Sequence, residues 1–206
     1  MAAPVVTIAG TWGLETGANA DWWRPGSEFW RMLKEGGYQP LDDSDPFYWS
    51  TALDGVDRNN FHWDAAGRAL AWYAALKCPG RMVSLIAHSH GGQVAAYAAR
   101  FGLRIDTVVT VATPVRADMG DEYRALRDRS LRWVHIYTDE EKGTPWQRLG
   151  ELGLNTLGGK INQAMPLCAE NVYYPKETHG SLVAAADLWR PSPDGEGWRS
   201  MLGPLR

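Results

Sequence analysis

The chain has 206 residues, a formal net charge of −3 and a hydrophobic content of 45%. This length and composition are typical of one globular domain that can bury a sizeable core. A slightly acidic chain without a block of basic residues is poorly suited to nucleic acid, so we expect no nucleic-acid partner. We predict a single domain over residues 1–206, with a loosely ordered tail over residues 191–206.

No stretch of the sequence reaches the roughly 18 consecutive apolar residues that a membrane-spanning helix requires. The N-terminus lacks the basic segment and the small-residue cleavage site of a signal peptide. Cys78 and Cys168 are the two cysteines, and in such a chain two cysteines are more often free thiols than a disulfide. We therefore expect a soluble cytoplasmic protein; secretion would require a signal peptide that has been removed.

The first predicted element is a buried strand over residues 5–9, a short run rich in β-branched residues. It ends in Gly10-Thr11-Trp12-Gly13, and residues 13–27 form a loop rich in Gly, Asn, Asp and Trp. Ser27 then provides a hydroxyl at the position of an N-cap. The pattern predicts a helix over residues 28–35.

Three tryptophans, Trp12, Trp22 and Trp23, occur in the loop that follows the first strand. Ligand sites are commonly apolar clefts with a few polar groups, so these rings are candidates for the lining of a substrate entrance. Large aromatic residues also serve simply as core. The sequence leaves both interpretations open.

The next segment combines an acidic turn with two predicted elements. Residues 41–46 contain three aspartates but lack the glycine and the distal glutamate of a calcium-binding loop, so we interpret them as a solvated turn. Residues 47–51 are an aromatic run that predicts a short strand. Residues 62–76 have helical spacing and end before Cys78-Pro79-Gly80.

Residues 83–99 are the most informative stretch of the chain. An apolar run precedes Ser89, and an alanine-rich segment that favours a helix follows it. Ala87 and Gly91 are small enough to let the end of a strand and the start of a helix pass close together. A helix N-terminus behind Ser89 would offer N–H groups and a positive dipole to an anion formed there. This pattern predicts a serine nucleophile elbow.

The sequence Ala87-His88-Ser89-His90-Gly91 resembles the nucleophile elbow of the α/β-hydrolases, whose pattern is Gly-x-Ser-x-Gly. The small lidless bacterial lipases have alanine in the first of these positions. The resemblance is strongest over residues 82–100. It implies a compact α/β-hydrolase fold, hydrolysis of a small-molecule ester or lipid-like substrate through an acyl-enzyme intermediate, and no cofactor.

The remaining elements repeat an alternation of strand and helix. Strands are predicted over residues 105–112, 131–137 and 171–175, and helices over residues 120–129 and 181–189. Such alternation is typical of an α/β fold with a mostly parallel central sheet and helices on both faces. Ligands bind beyond the carboxyl ends of the strands in these sheets.

A serine hydroxyl becomes a nucleophile when a base takes its proton, and histidine is the usual base. Of the five histidines, His62 precedes the serine and His135 lies within a predicted strand. His88 and His90 adjoin the serine, and their side chains diverge from it. His179 follows the last predicted strand, where the resemblance places the base, so we predict that His179 is the catalytic histidine.

A carboxylate must orient that histidine, and in α/β-hydrolases it lies between the serine and the histidine in the chain. Asp139 directly follows the strand predicted over residues 131–137, which is the family's position for the acid. Glu140 and Asp118 remain alternatives. The resemblance also implies an oxyanion hole formed by the backbone N–H groups of Thr11 and His90.

Two other functions compete with ester hydrolysis. A catalytically silent α/β-hydrolase fold could bind a ligand or partner, although Ser89, Asp139 and His179 occur in the expected order. A metal site could use His88 and His90, but two histidines separated by one residue across a turn point apart, so we expect no metal. The triad does not separate esterase from lipase, thioesterase or amidase.

Overall fold

The computed structural model describes residues 3–10, 22–49, 61–138, 163–174 and 181–184. Within these ranges the centre is a five-stranded sheet in which every neighbouring pair is parallel and the strands lie side by side in chain order. The strands are β1 (Val5–Ile8), β2 (Val83–His88), β3 (Ile105–Val111), β4 (Ser130–Tyr137) and β5 (Glu170–Tyr173). The predicted α/β class with a parallel sheet is therefore confirmed.

Helices cover both faces of this sheet. The four α-helices of the described residues are α1 (Glu28–Glu35), α2 (Phe61–Lys77), α3 (Gly91–Arg100) and α4 (Gly120–Arg129). Side chains of α2, α3 and α4 share one buried cluster with the sheet, while α1 and residues 182–183 belong to the cluster on the opposite face. None of the described helices is both long enough and apolar enough to cross a bilayer.

The inner strand β2 shows how the sequence divides the core. Leu85 and Ala87 point into the cluster beneath α2 and α3, and Ile86 between them points into the cluster beneath α1. All three side chains are fully buried. Successive side chains of a strand point to opposite faces of the sheet. Because helices cover both faces here, all of these side chains are buried, and the strand sequence is a continuous apolar run.

The predicted start of α1 is confirmed in atomic detail. The Ser27 hydroxyl accepts a hydrogen bond from the backbone N–H of Trp30 at 3.2 Å and donates one to the Trp22 carbonyl at 2.7 Å. It satisfies one of the N–H groups that a helix leaves unpaired at its first turn. The same hydroxyl fixes the loop that enters the helix.

The strand predicted over residues 47–51 is wrong for residues 47–49, which form no strand; residues 50–51 lie outside the described residues. Phe47 and Trp49 are buried, and the Trp49 indole donates a hydrogen bond to the carbonyl of Ala9 at 3.0 Å. The aromatic run is therefore buried by packing and not by pairing with the sheet. Of the predicted closing helix, residues 181–184 form a short 3-10 turn, and the remainder lies outside the described residues, as does the predicted tail.

The acidic turn is closed by its own side chains. One carboxylate oxygen of Asp42 accepts hydrogen bonds from the hydroxyl and N–H of Ser44, and the other accepts one from Lys77 at 2.7 Å. Lys77, and after it Ser44, hold the pKa of the Asp42 carboxyl well below its usual range. The turn thereby anchors the end of α2 to the segment that follows α1.

Candidate active site

Ser89 lies between the end of β2 and the start of α3, as predicted. Its backbone has a φ of +52°, a left-handed conformation that L-residues adopt at a cost of about 1–2 kcal/mol. Hydrogen bonds from the Ser89 N–H to the Val111 carbonyl (2.8 Å) and from the Gly92 N–H to the Ser89 carbonyl (3.0 Å) hold this conformation. Only 4% of the residue is exposed. Strained backbone held by its surroundings is a recurrent feature of functional sites.

Two glycines make room for this turn. A Cβ atom on Gly10 would lie 2.6 Å from the Ser89 Cβ and 3.3 Å from its hydroxyl oxygen. A Cβ atom on Gly91 would lie 2.6 Å from the Ile8 carbonyl oxygen. The end of β1 therefore passes directly against the serine and the first turn of α3, which explains why residues without side chains stand at both positions.

The His90 ring is part of a stack that joins three elements. It lies parallel to the Trp63 indole of α2, with ring centroids 5.2 Å apart and planes inclined by 17°. The Arg116 guanidinium, from the segment between β3 and α4, lies 5.2 Å from the centroid of the same indole. Contacts of this kind stabilise by about 0.5–2 kcal/mol each. The stack fixes the residue that follows Ser89.

Asp118, one of the alternative acids, has both carboxylate oxygens occupied. They accept hydrogen bonds from the Nε and Nη2 groups of Arg116 at 2.9 and 2.6 Å. A bidentate pair of this kind is among the stronger charge-assisted interactions. The pair holds the Asp118 carboxylate against Arg116 at a half-exposed position, and the choice of Asp139 as the acid stays a prediction.

Trp22 and Trp23 are buried, and both belong to the core beneath α1. Trp22 packs edge-on against Phe29 and against the ring of His88, at centroid distances of 4.9 and 6.2 Å. The carbonyl of Trp23 accepts a hydrogen bond from the Thr7 hydroxyl at 2.8 Å. The Trp22 ring thus packs beside the elbow and the Trp23 backbone is tied to β1, and the role of both residues as a substrate lining stays a prediction.

The structure brings together Ser89, His90 and Gly10, the residue before Thr11. Thr138, the residue before Asp139, is buried at the carboxyl end of β4, and Tyr174 pairs there with Tyr137 through a backbone hydrogen bond of 2.8 Å. These strand ends all lie at the same edge of the parallel sheet. Several predicted or alternative site residues lie outside the described residues: Thr11, Trp12, Asp139, Glu140 and His179.

His135, which the sequence places inside a strand, is fully buried in β4. Its Nδ1 atom lies 2.9 Å from the Thr110 hydroxyl, and its ring stacks on Tyr137 with a centroid distance of 5.9 Å. Burial lowers the pKa of this imidazole to about 4. His135 is therefore a neutral structural residue.

This burial predicts a loss of stability in acid. The pKa of His135 is about 4 in the folded state and about 6.5 in the unfolded chain, so the unfolded chain binds the extra proton as the pH falls below 6.5. We expect the His135 contribution to the free energy of unfolding to fall by about 2 kcal/mol between pH 7 and pH 4.5. Urea unfolding of the wild type and His135→Phe at both pH values measures it, because the carboxylates titrate alike in the two proteins. An equal loss in both proteins would contradict the assignment.

Within the described residues, no group of three or more histidine, cysteine, aspartate or glutamate side chains is placed to hold a metal ion. The two cysteines are free and buried, as the sequence favoured. Sequence reasoning missed the contact of Trp63 with His90 and that of Arg116 with Trp63, because neither Trp63 nor Arg116 belongs to a recognisable motif.

The fold is similar to that of a solved structure from Thermoplasma acidophilum, described as a predicted CIB-like hydrolase. The TM-score is 0.53 at 10% sequence identity, and the match covers 90% of this chain and 81% of the other. At this identity the similarity shows a shared fold. No protein-family model and no curated protein matches the chain.

Proposed function

We propose that this protein is a serine hydrolase that cleaves carboxylic esters, with Ser89 as nucleophile, His179 as base and Asp139 as the orienting acid. The observation that carries the proposal is the left-handed backbone of Ser89 at the tip of a strand–turn–helix unit. A side chain at position 10 or 91 would collide with its surroundings, so the glycines at these positions make that conformation possible. A strained serine between a strand and a helix, with small residues around it, is the geometry of a nucleophile elbow.

In the proposed reaction, His179 takes the proton of the Ser89 hydroxyl as its oxygen bonds to the ester carbonyl carbon. The backbone N–H groups of Thr11 and His90 stabilise the resulting oxyanion, each contributing about 3 kcal/mol to the transition state. His179 then gives the proton to the departing alcohol. Water, activated by the same histidine, hydrolyses the acyl-enzyme, while Asp139 stabilises the imidazolium in both steps.

A fluorophosphonate probe tests the nucleophile, because it bonds to the activated oxygen of a serine hydrolase. We expect the wild type to be labelled at one site and Ser89→Ala not to be labelled. The matched control is Ser84→Ala, which changes another buried serine on β2 and should leave labelling intact. If the wild type is not labelled, the protein is a catalytically silent binding protein and the proposal fails.

The acid is tested by comparing two neutral isosteres. We expect Asp139→Asn to lower kcat about 10⁴-fold, since the histidine would lose its orienting and charge-stabilising partner. Asp118→Asn should change kcat by less than a few fold, because Asp118 already binds Arg116. Rates with p-nitrophenyl acetate measure both, and the reverse ranking would assign the role to Asp118. Extending the assay to longer acyl chains then separates esterase from lipase.

A further inference from the structure

Helix α2 has apolar residues on both of its sides. Its inner side buries Ala66, Leu70 and Ala74 against the sheet and α3. Its outer side, here called the outer stripe, is exposed and consists of Ala65, Arg68, Ala69, Trp72, Ala75 and Leu76. The exposed fraction is 72% for Trp72 and 75% for Leu76. A surface helix normally presents polar residues outward, and one that is apolar all round is normally covered.

We propose that the outer stripe is an interface with a second copy of this chain, in which the two α2 helices pack antiparallel about a two-fold axis at Trp72. This surface is separate from ester hydrolysis, and the proposal stands whether or not the proposed function does. Three features of the helix support a second copy as the occupant: its spacing, its symmetry about Trp72 and the charges at its two ends.

The spacing of the stripe suits another helix. Ala65, Arg68, Trp72 and Ala75 follow one another at intervals of three, four and three residues, which is the seam along which helices pack in pairs. Trp72 stands between two surface grooves with volumes of about 560 and 300 Å³. Side chains of a neighbouring helix would fill grooves of this kind as knobs fill holes.

The stripe is complementary to itself. In an antiparallel pair centred on Trp72, a residue that precedes Trp72 faces the residue at the same distance after Trp72 in the second copy. Ala69 then faces Ala75, and two methyl groups allow the helix axes to approach to about 8–10 Å. Arg68 faces Leu76, so that the aliphatic stem of the arginine covers the leucine.

The charges at the two ends of α2 are opposite. Asp64 lies in the first turn, where it also pairs with Arg68 of its own helix at 3.6 Å, and Arg81 follows the last turn. In the antiparallel pair, Asp64 of each copy comes close to Arg81 of the other. Antiparallel helix dipoles favour the same arrangement. A parallel pair would instead bring like charges together at both ends.

Sedimentation velocity over a hundredfold range of protein concentration tests the interface. We expect the wild type to form a dimer as concentration rises, and Leu76→Lys to raise the dimer dissociation constant at least tenfold. The control is Leu131→Lys, which places the same charge on an equally exposed leucine of β4 and should leave the constant unchanged. A wild type that stays monomeric overturns the proposal. A monomeric wild type whose Tm falls when Leu76 is replaced by lysine also overturns it, because another part of the same chain would then cover the outer stripe.

Disulfide cross-linking tests the symmetry. An equimolar mixture of Ala69→Cys and Ala75→Cys should cross-link into a dimer under mild oxidation, because these positions face each other. Each variant alone should not, since identical positions are offset by six residues, or about 9 Å along the axis, beyond the Cα separation that a disulfide spans. The native cysteines are buried and leave the readout clear. Equal cross-linking in all three samples, or none in any, overturns the two-fold arrangement.

Discussion

Replacing His179 by alanine is expected to abolish the hydrolysis of p-nitrophenyl acetate while the protein remains folded. Without a base, the Ser89 hydroxyl keeps its proton and is a poor nucleophile. Loss of one member of a serine triad typically removes about 10⁴–10⁶ of the rate, because the members act as a unit. Steady-state rates measure the loss, and circular dichroism of the same samples establishes that the fold is retained.

Added imidazole provides a second readout for the same variant. A small base that enters the space left by the deleted ring should restore part of the rate in His179→Ala and none in Ser89→Ala. His62→Ala is the matched control, since this histidine precedes the serine in the chain and has no assigned role. Full activity in His179→Ala would remove His179 from the mechanism, and loss of activity in His62→Ala with retention in His179→Ala would reassign the base.

Gly91→Ala is expected to lower the free energy of unfolding by about 3 kcal/mol, at the upper end of the cost of overpacking. The new methyl group would lie 2.6 Å from the Ile8 carbonyl oxygen and 2.8 Å from that of Ala9. Both are backbone atoms of the chain leaving β1, so relief requires the strand end to move away from the elbow. Because that movement also displaces Gly10 from Ser89, labelling by a fluorophosphonate should slow as well.

Gly120→Ala is the control for this prediction. Gly91 and Gly120 are the first residues of α3 and α4, so both variants add one methyl group to a first helical turn. The nearest atom to a Cβ on Gly120 is a guanidinium nitrogen of Arg124 at 3.6 Å, which is an ordinary contact. Alanine has the higher helix propensity, so stability should stay equal or rise by about 1 kcal/mol. Equal unfolding free energies for the two variants in urea would contradict the steric argument.

The sheet and the elbow were predictable because their signals are local. Continuous apolar runs mark strands that are covered on both faces, and β2 and β3 begin at the predicted residues 83 and 105. The small residues around Ser89 indicate that backbone segments approach each other closely within one turn. The glycine at position 10 was predicted to end the first strand, but its contact with Ser89 depends on the pairing of β1 with β2.

Other features depend on contacts between distant parts of the chain. Trp63, His90 and Arg116 come together because the first turn of α2 and the segment after β3 converge on the elbow. Nothing in the three residue types or their spacing indicates this stack. The strand predicted at residues 47–49 is wrong for a related reason. Bulky rings favour both strands and buried loops, and here tertiary packing stabilises the loop.

The two thiols can serve as native reporters of local opening. Cys78 donates to the Ala74 carbonyl at the end of α2, and Cys168 donates to the Trp133 carbonyl beside β4. Burial raises the pKa of Cys78, and it raises that of Cys168 to about 11, so neither sulfur reacts as a thiolate in the closed protein. The rate at which a thiol reagent modifies each cysteine therefore measures how often that region opens. The end of α2 and the outer part of the sheet can be followed separately in one unmodified sample.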